Sequence, residues 1–278
     1  MIDDALREKL TKTSVVYHLE NADAVTVRRG IEFAGSDGAP LTMDLYDSPD
    51  APGAAPRPAV IIVFGYADPG FERLFGCRFK DTAGVVSWAR LIAASGMTAI
   101  TATNREPVGD FHALLGHVAE HADVYGIDAS RLCLWASSGN VPLALSALMS
   151  TEPSSLACAA FSYGYTLDLD GSTAVADAAR TFKFTNPCAG KSAHDLRVDV
   201  PMFVARAGRD EMPGLNQALD RFVAAALSRN VPLTLVNHAE GPHAFDLFDD
   251  SGTSREIVKQ ILAFLAFHAP LARDRRRI

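Results

Sequence analysis

Hydrophobic and polar positions along this chain alternate between two kinds of segment. Short runs rich in branched and small apolar residues predict strands at AVIIVF (59–64), MTAITA (97–102), RLCLWA (131–136), LACAAFSY (156–163), PMFVARAG (201–208) and PLTLVNH (232–238). Between them lie stretches with helical spacing at 82–95, 110–126, 141–150 and 214–230, and a final one at 253–268. Near-continuous apolar strands separated by helices predict a mainly parallel sheet covered by helices on both faces. Ahead of these units, VTVRRGIEFAG (25–35) and LTMDLYD (41–47) flank Ser36-Asp37-Gly38 and predict a β-hairpin, and the Pro- and Ala-rich SPDAPGAAPRP (48–58) a loop.

Residues 1–24 form an N-terminal helical arm on this pattern. The less regular stretch 164–200, which follows the sixth strand, reads as a small cap-like insertion with one helix in STAVADAARTFKF. No internal repeat or low-complexity linker divides the chain, so residues 1–278 are expected to form one α/β domain. The basic run at the end, within 270–278, is expected to be a solvated, disordered tail.

Composition narrows the function classes. The formal net charge of −7 argues against nucleic acid as a partner. No apolar run approaches the roughly 18 residues of a membrane span, and the charged start MIDDALREKLTKT does not read as a secretory signal. A cytoplasmic protein is expected, with no membrane association and with a homodimer left open. Cys77, Cys133, Cys158 and Cys188 lack metal-binding spacing and are expected to be buried free thiols.

Candidate chemistry begins where the strand at 131–136 stops at Ala136-Ser137-Ser138-Gly139-Asn140 and a helix-forming stretch follows. A serine on a sharp strand-to-helix turn presents its Oγ above the carboxyl edge of a sheet, and only small residues fit two places before and after it. Ser138 places Ala136 and Asn140 there, whereas Ser137 would place Trp135 at the crowded position, which favours Ser138. A nucleophilic serine needs a base, an acid to orient the base, and donors for an oxyanion. Candidates should follow the carboxyl ends of parallel strands. Asp210 follows the strand at 201–208 and His243 follows the strand at 232–238. Glu211 rivals Asp210, but adjacent residues in a turn seldom point the same way; His238 rivals His243, but lacks the reach of a loop. For the oxyanion, the Gly139 amide and the Tyr66 amide are expected, with Gly65 permitting unusual backbone angles in the loop FGYADPG.

The strings RLCLWASSGNVPLAL, IIVFGY, AGRDE and EGPHAF together resemble the α/β-hydrolase superfamily, on the side of the dienelactone hydrolase-like and esterase/lipase-type carboxylesterases. The resemblance spans the chain from about residue 25. It implies a sheet of eight strands, no metal or organic cofactor, and hydrolysis of a small-molecule carboxylic ester through an acyl-enzyme. Dienelactone hydrolases proper use a cysteine where this chain has Ser138. Phe64 stands where many esterases carry a histidine before glycine, and Asn140 replaces the glycine after the elbow.

Phe64, Asn140, Tyr163 and Tyr165 are candidate pocket residues, with Phe184 nearby; core packing is the competing reading for the tyrosines and Phe184. His112, His117 and His121 share one helix but lack the glutamate of a zinc-binding motif, so a helix face is favoured over a metal site. Asp246, Asp249 and Asp250 read as a solvated acidic loop. The leading reading is a serine carboxylesterase. A peptidase or thioesterase with the same triad, and a non-catalytic ligand-binding protein of the same fold, are the alternatives.

Overall fold

The computed structural model describes residues 3–49, 55–149 and 156–270. Eight strands form one sheet: β1 (Thr26–Ala34), β2 (Pro40–Asp47), β3 (Arg57–Ile62), β4 (Thr98–Ala102), β5 (Ile127–Ser137), β6 (Leu156–Ser162), β7 (Met202–Ala207) and β8 (Leu233–His238), in the order β1-β2-β4-β3-β5-β6-β7-β8. Only β2 runs against its neighbours; β4, β3, β5, β6, β7 and β8 are parallel throughout. The sheet is therefore the expected one, a hairpin leading into parallel βα units.

The helices are α1 (Asp4–Lys12), α2 (Asp68–Phe75), α3 (Ala83–Ala94), α4 (Pro107–Glu120), α5 (Ala122–Tyr125), α6 (Val141–Ala147), α7 (Ala174–Phe182), α8 (Leu215–Ser228), α9 (Phe245–Phe248) and α10 (Gly252–His268). Because side chains alternate along a strand, each central strand feeds two cores. Ala59 and Ile61 of β3 with Leu132 and Leu134 of β5 pack under α4, α6 and α8. Val60 and Ile62 with Cys133 and Trp135 pack under α3 and α10. This double burial is why the central stretches of these strands, 59–62 and 132–136, are apolar at successive positions rather than at every second one.

Several elements differ from the sequence pattern, and three of the differences have a clear local reason. Val63 N–H still bonds the Trp135 carbonyl, but Phe64 leaves the sheet, so β3 is shorter at its carboxyl end. Pro107 opens α4 with the Glu106 side chain accepting from the Val108 and Gly109 amides, and the chain breaks at His121 into α4 and α5. The pattern missed α2, although Pro69 in its first turn and the left-handed Gly76 at its end are start and stop signals.

In the insertion, α7 carries Val175 and Ala178 onto a small third core with Tyr165, Phe184, Leu215 and Ala218. The expected loop at 48–58 lies partly outside the described residues, and of the basic tail only Pro270 lies within them. All four cysteines are free, and Cys77 is the one that is not fully buried. No helix among the described residues is long and apolar enough to cross a membrane.

Candidate active site

Ser137 ends β5 and Ser138 turns the chain, with a φ of 55°, into a tight turn over Ser138–Asn140 and then α6. A left-handed φ on a residue other than glycine costs on the order of 1–3 kcal/mol and persists only where surrounding packing imposes it. Here Ala136 is wholly buried on the strand side, and the Ser138 carbonyl accepts from the Tyr165 and Val141 amides on the other. The turn leaves Ser138 half-buried, with its hydroxyl clear of the sheet.

β5, β7 and β8 all run the same way, so the loops after them meet at one edge. There Ser138 Oγ lies 2.9 Å from His243 Nε2, and His243 Nδ1 lies 2.7 Å from Asp210 Oδ2. The Asp210 carboxylate is fully enclosed, and its second oxygen accepts the Met212 amide at 2.9 Å. The two loops that carry acid and base are laced together, with Gly208 N–H donating to the His238 carbonyl and Arg209 N–H to the Gly241 carbonyl. Glu211 is exposed beside this network. His238 is buried elsewhere, with Nε2 at 3.0 Å from both Asp249 Oδ2 and Ser254 Oγ. A serine oxygen in reach of an imidazole that a buried carboxylate orients is the geometry that activates a hydroxyl nucleophile.

Behind His243 the structure corrects the expected solvated acidic loop. Asp246 is buried, accepting from Tyr163 Oη at 2.5 Å and Trp88 Nε1 at 2.6 Å. Burial pushes its carboxyl above the usual range, against the pull of these two donors. Tyr163, itself at a φ of 36°, sets its ring edge-on to His243 with centroids 5.0 Å apart. It therefore backs the imidazole rather than lining a pocket.

The loop after β3 lies against the elbow. The Gly65 amide donates to Asn140 Oδ1 at 2.8 Å, and the Gly65 carbonyl accepts from Thr185 at 2.8 Å. Gly65 is not in the left-handed region, contrary to the expected need for unusual angles. Space is the reason for glycine, since a Cβ there would stand 2.9 Å from the Gly139 carbonyl oxygen. Asn140 is likewise not a pocket wall; its side chain is buried and spent on the Gly65 amide. Phe64 is buried against Phe79 at 5.0 Å, as core packing. Tyr165 is also core, stacked on Phe184 at 5.3 Å with its hydroxyl donating to the Pro213 carbonyl. Burial and the nearby Asp210 charge push the Tyr165 phenol up to about 12. The rings next to Gly139 are instead those of Tyr66 and Phe184.

On α4 and its end, His117 and His121 stack at 4.3 Å, and His117 Nε2 lies 2.8 Å from Tyr125 Oη. Among the described residues no group of three or more His, Cys, Asp or Glu side chains is placed to hold a metal ion.

By sequence, the chain matches no protein-family model and none of the curated proteins. Solved structures match it closely in shape. Esterase Est22 superposes with a TM-score of 0.70 over 94% of this chain and 86% of its own, at 17% identity. A bacterial brefeldin A esterase, described as a homologue of human hormone sensitive lipase, gives a TM-score of 0.72 over 95% and 82%, at 16% identity. A bacterial heroin esterase gives 0.67 over 91% and 87%, also at 16% identity. Likeness of this kind establishes the fold: the chain is an α/β-hydrolase-fold protein.

Proposed function

We propose that this protein is a serine hydrolase of small carboxylic esters, working through an acyl-enzyme. One observation carries the reading: Ser138, His243 and Asp210 form a continuous hydrogen-bonded chain from a half-buried hydroxyl to a fully enclosed carboxylate. The esterase names of structures sharing the fold support it. Fold alone does not carry function, so the weight rests on the site.

In this mechanism Asp210 accepts a hydrogen bond from Nδ1–H of His243, which fixes the tautomer whose Nε2 is unprotonated and faces Ser138. As Ser138 Oγ attacks the ester carbonyl carbon, its proton passes to Nε2, and the oxyanion is held by the amides of Gly139 and Tyr66. Nε2–H then protonates the departing alkoxide, leaving the acyl group on Ser138. Water enters, gives its proton to Nε2 as it attacks the acyl carbon, and Ser138 leaves with that proton restored. Asp210 holds its negative charge beside the imidazolium in both halves of the cycle.

The test is hydrolysis of a short-chain aryl ester by the wild type and Ser138→Ala, with thermal unfolding measured in parallel. Turnover is expected to vanish in the variant while the unfolding midpoint is kept, and a fluorophosphonate probe should label the wild type at Ser138. Unchanged turnover in Ser138→Ala, or no labelling of the wild type, would overturn the reading.

A further inference from the structure

Three tyrosines surround the elbow, and two have their hydroxyls occupied: Tyr163 donates to Asp246, and Tyr165 to the Pro213 carbonyl. Tyr66 is different. Its ring is half-buried against the third core, and its hydroxyl has no hydrogen-bond partner among the described residues, which leaves it open to a ligand.

That hydroxyl lies at a telling place. A Cβ added to Gly139 would stand 2.5 Å from Tyr66 Oη and 2.7 Å from Phe184 Cδ1. Residue 139 has no side chain because the tip of Tyr66 and the edge of Phe184 fill the space beside it. The peptide that follows Ser138 thus has a phenolic hydroxyl next to it, without a partner among the described residues.

We infer that the Tyr66 hydroxyl donates a hydrogen bond to the oxyanion formed on the ester carbonyl, beside the Gly139 amide. The inference rests on the serine-hydrolase reading and adds a catalytic side chain to it. Three further features agree. The Gly65 amide, in the loop that conventionally supplies backbone donors, is already bonded to Asn140, which leaves the loop one donor poorer. The Tyr66 ring is fixed in advance, stacked on Phe79 at 5.7 Å with 9° between planes and edge-on to Phe184 at 6.2 Å, as an oxyanion donor must be to contribute fully. Burial, with a smaller contribution from Tyr165, raises the phenol well above its ordinary range, so it keeps its proton in alkaline solution.

Tyr66→Phe, in the full-length enzyme, deletes the hydroxyl and keeps the ring. With p-nitrophenyl acetate, kcat is expected to fall by about 10²–10³, the usual loss for one oxyanion donor, with KM changed less than about twofold. A trifluoromethyl ketone, which forms a charged hemiketal on the serine, should lose affinity by a similar factor, whereas a residue that merely shapes the loop would shift KM and the unfolding midpoint instead. Wild-type kcat or unchanged ketone affinity in Tyr66→Phe, with Ser138→Ala inactive, overturns this inference and leaves the hydrolase reading standing. Turnover surviving in Ser138→Ala overturns both.

Discussion

The Asn140 side-chain carbonyl accepts the Gly65 amide at 2.8 Å, joining residues 75 positions apart in the chain. The turn that aims Ser138 is thereby tied to the loop that carries Tyr66. Asn140→Ala leaves the Gly65 amide unpaired in a buried place, which costs about 1–3 kcal/mol. A fall in kcat of about tenfold is expected as the loop loosens, on the scale of one weakened hydrogen bond. Asn140→Asp keeps an acceptor and should recover most of the loss. Urea unfolding and ester hydrolysis, measured on both variants, check the pair.

Asp210 and Glu211 are neighbours with opposite surroundings, one carboxylate fully enclosed against His243 and the other in solvent. Asp210→Asn is expected to lower kcat by about 10⁴, the loss typical when the imidazole is held in the wrong tautomer. Glu211→Ala should stay within about twofold of the wild type, as exposed residues outside a network do. Equal losses from the two substitutions would remove Asp210 from its role.

Asp246 joins two donors from distant elements, Trp88 on α3 and Tyr163 after β6. Asp246→Ala orphans both in the core, and at 1–3 kcal/mol for each, a loss of about 3 kcal/mol is expected. Denaturant unfolding measures it. Because Tyr163 backs His243, kcat should fall as well, while Asp249→Ala, which touches His238 instead, leaves kcat near the wild type.

Asp110 offers a pH-dependent test away from the site. Burial raises its carboxyl, but the amides of Ser36, Arg105 and Glu106 and the Ser36 hydroxyl, all within 2.7–2.8 Å, together hold it below the usual range. A depressed folded value means that the stabilisation is complete above the unfolded aspartate value of about 3.9 and is lost as pH falls through the folded one. The stability gap between wild type and Asp110→Asn should therefore be full at neutral pH and shrink below about pH 4. A gap that does not change with pH would refute this.

How much was legible follows from where each cause lies. The period of apolar residues revealed the parallel strands, because burial on both faces leaves the runs 59–62 of β3, 132–136 of β5 and 156–161 of β6 apolar without a break. The boundary errors fall where the chain leaves the sheet to build the site, as at Phe64, since no local pattern marks that departure. Between pocket wall and core packing, the two readings open for the aromatic candidates, the sequence pattern did not choose, for a related reason. Phe64, Tyr163 and Tyr165 are aromatic residues flanking functional loops, and composition does not say which side of a loop faces substrate.

By itself, the sequence determined the alternation of strands and helices, the elbow at Ser138, and the order in which Asp210 and His243 follow it, because these depend on spacing within single segments. Only the tertiary structure decided that His243 rather than His238 meets Ser138, that Asn140 holds Gly65, that Asp246 is buried, and that the Tyr66 hydroxyl stands beside Gly139. Each of these is a pairing between distant segments, and a pairing exists only once the sheet has brought its loops to one edge.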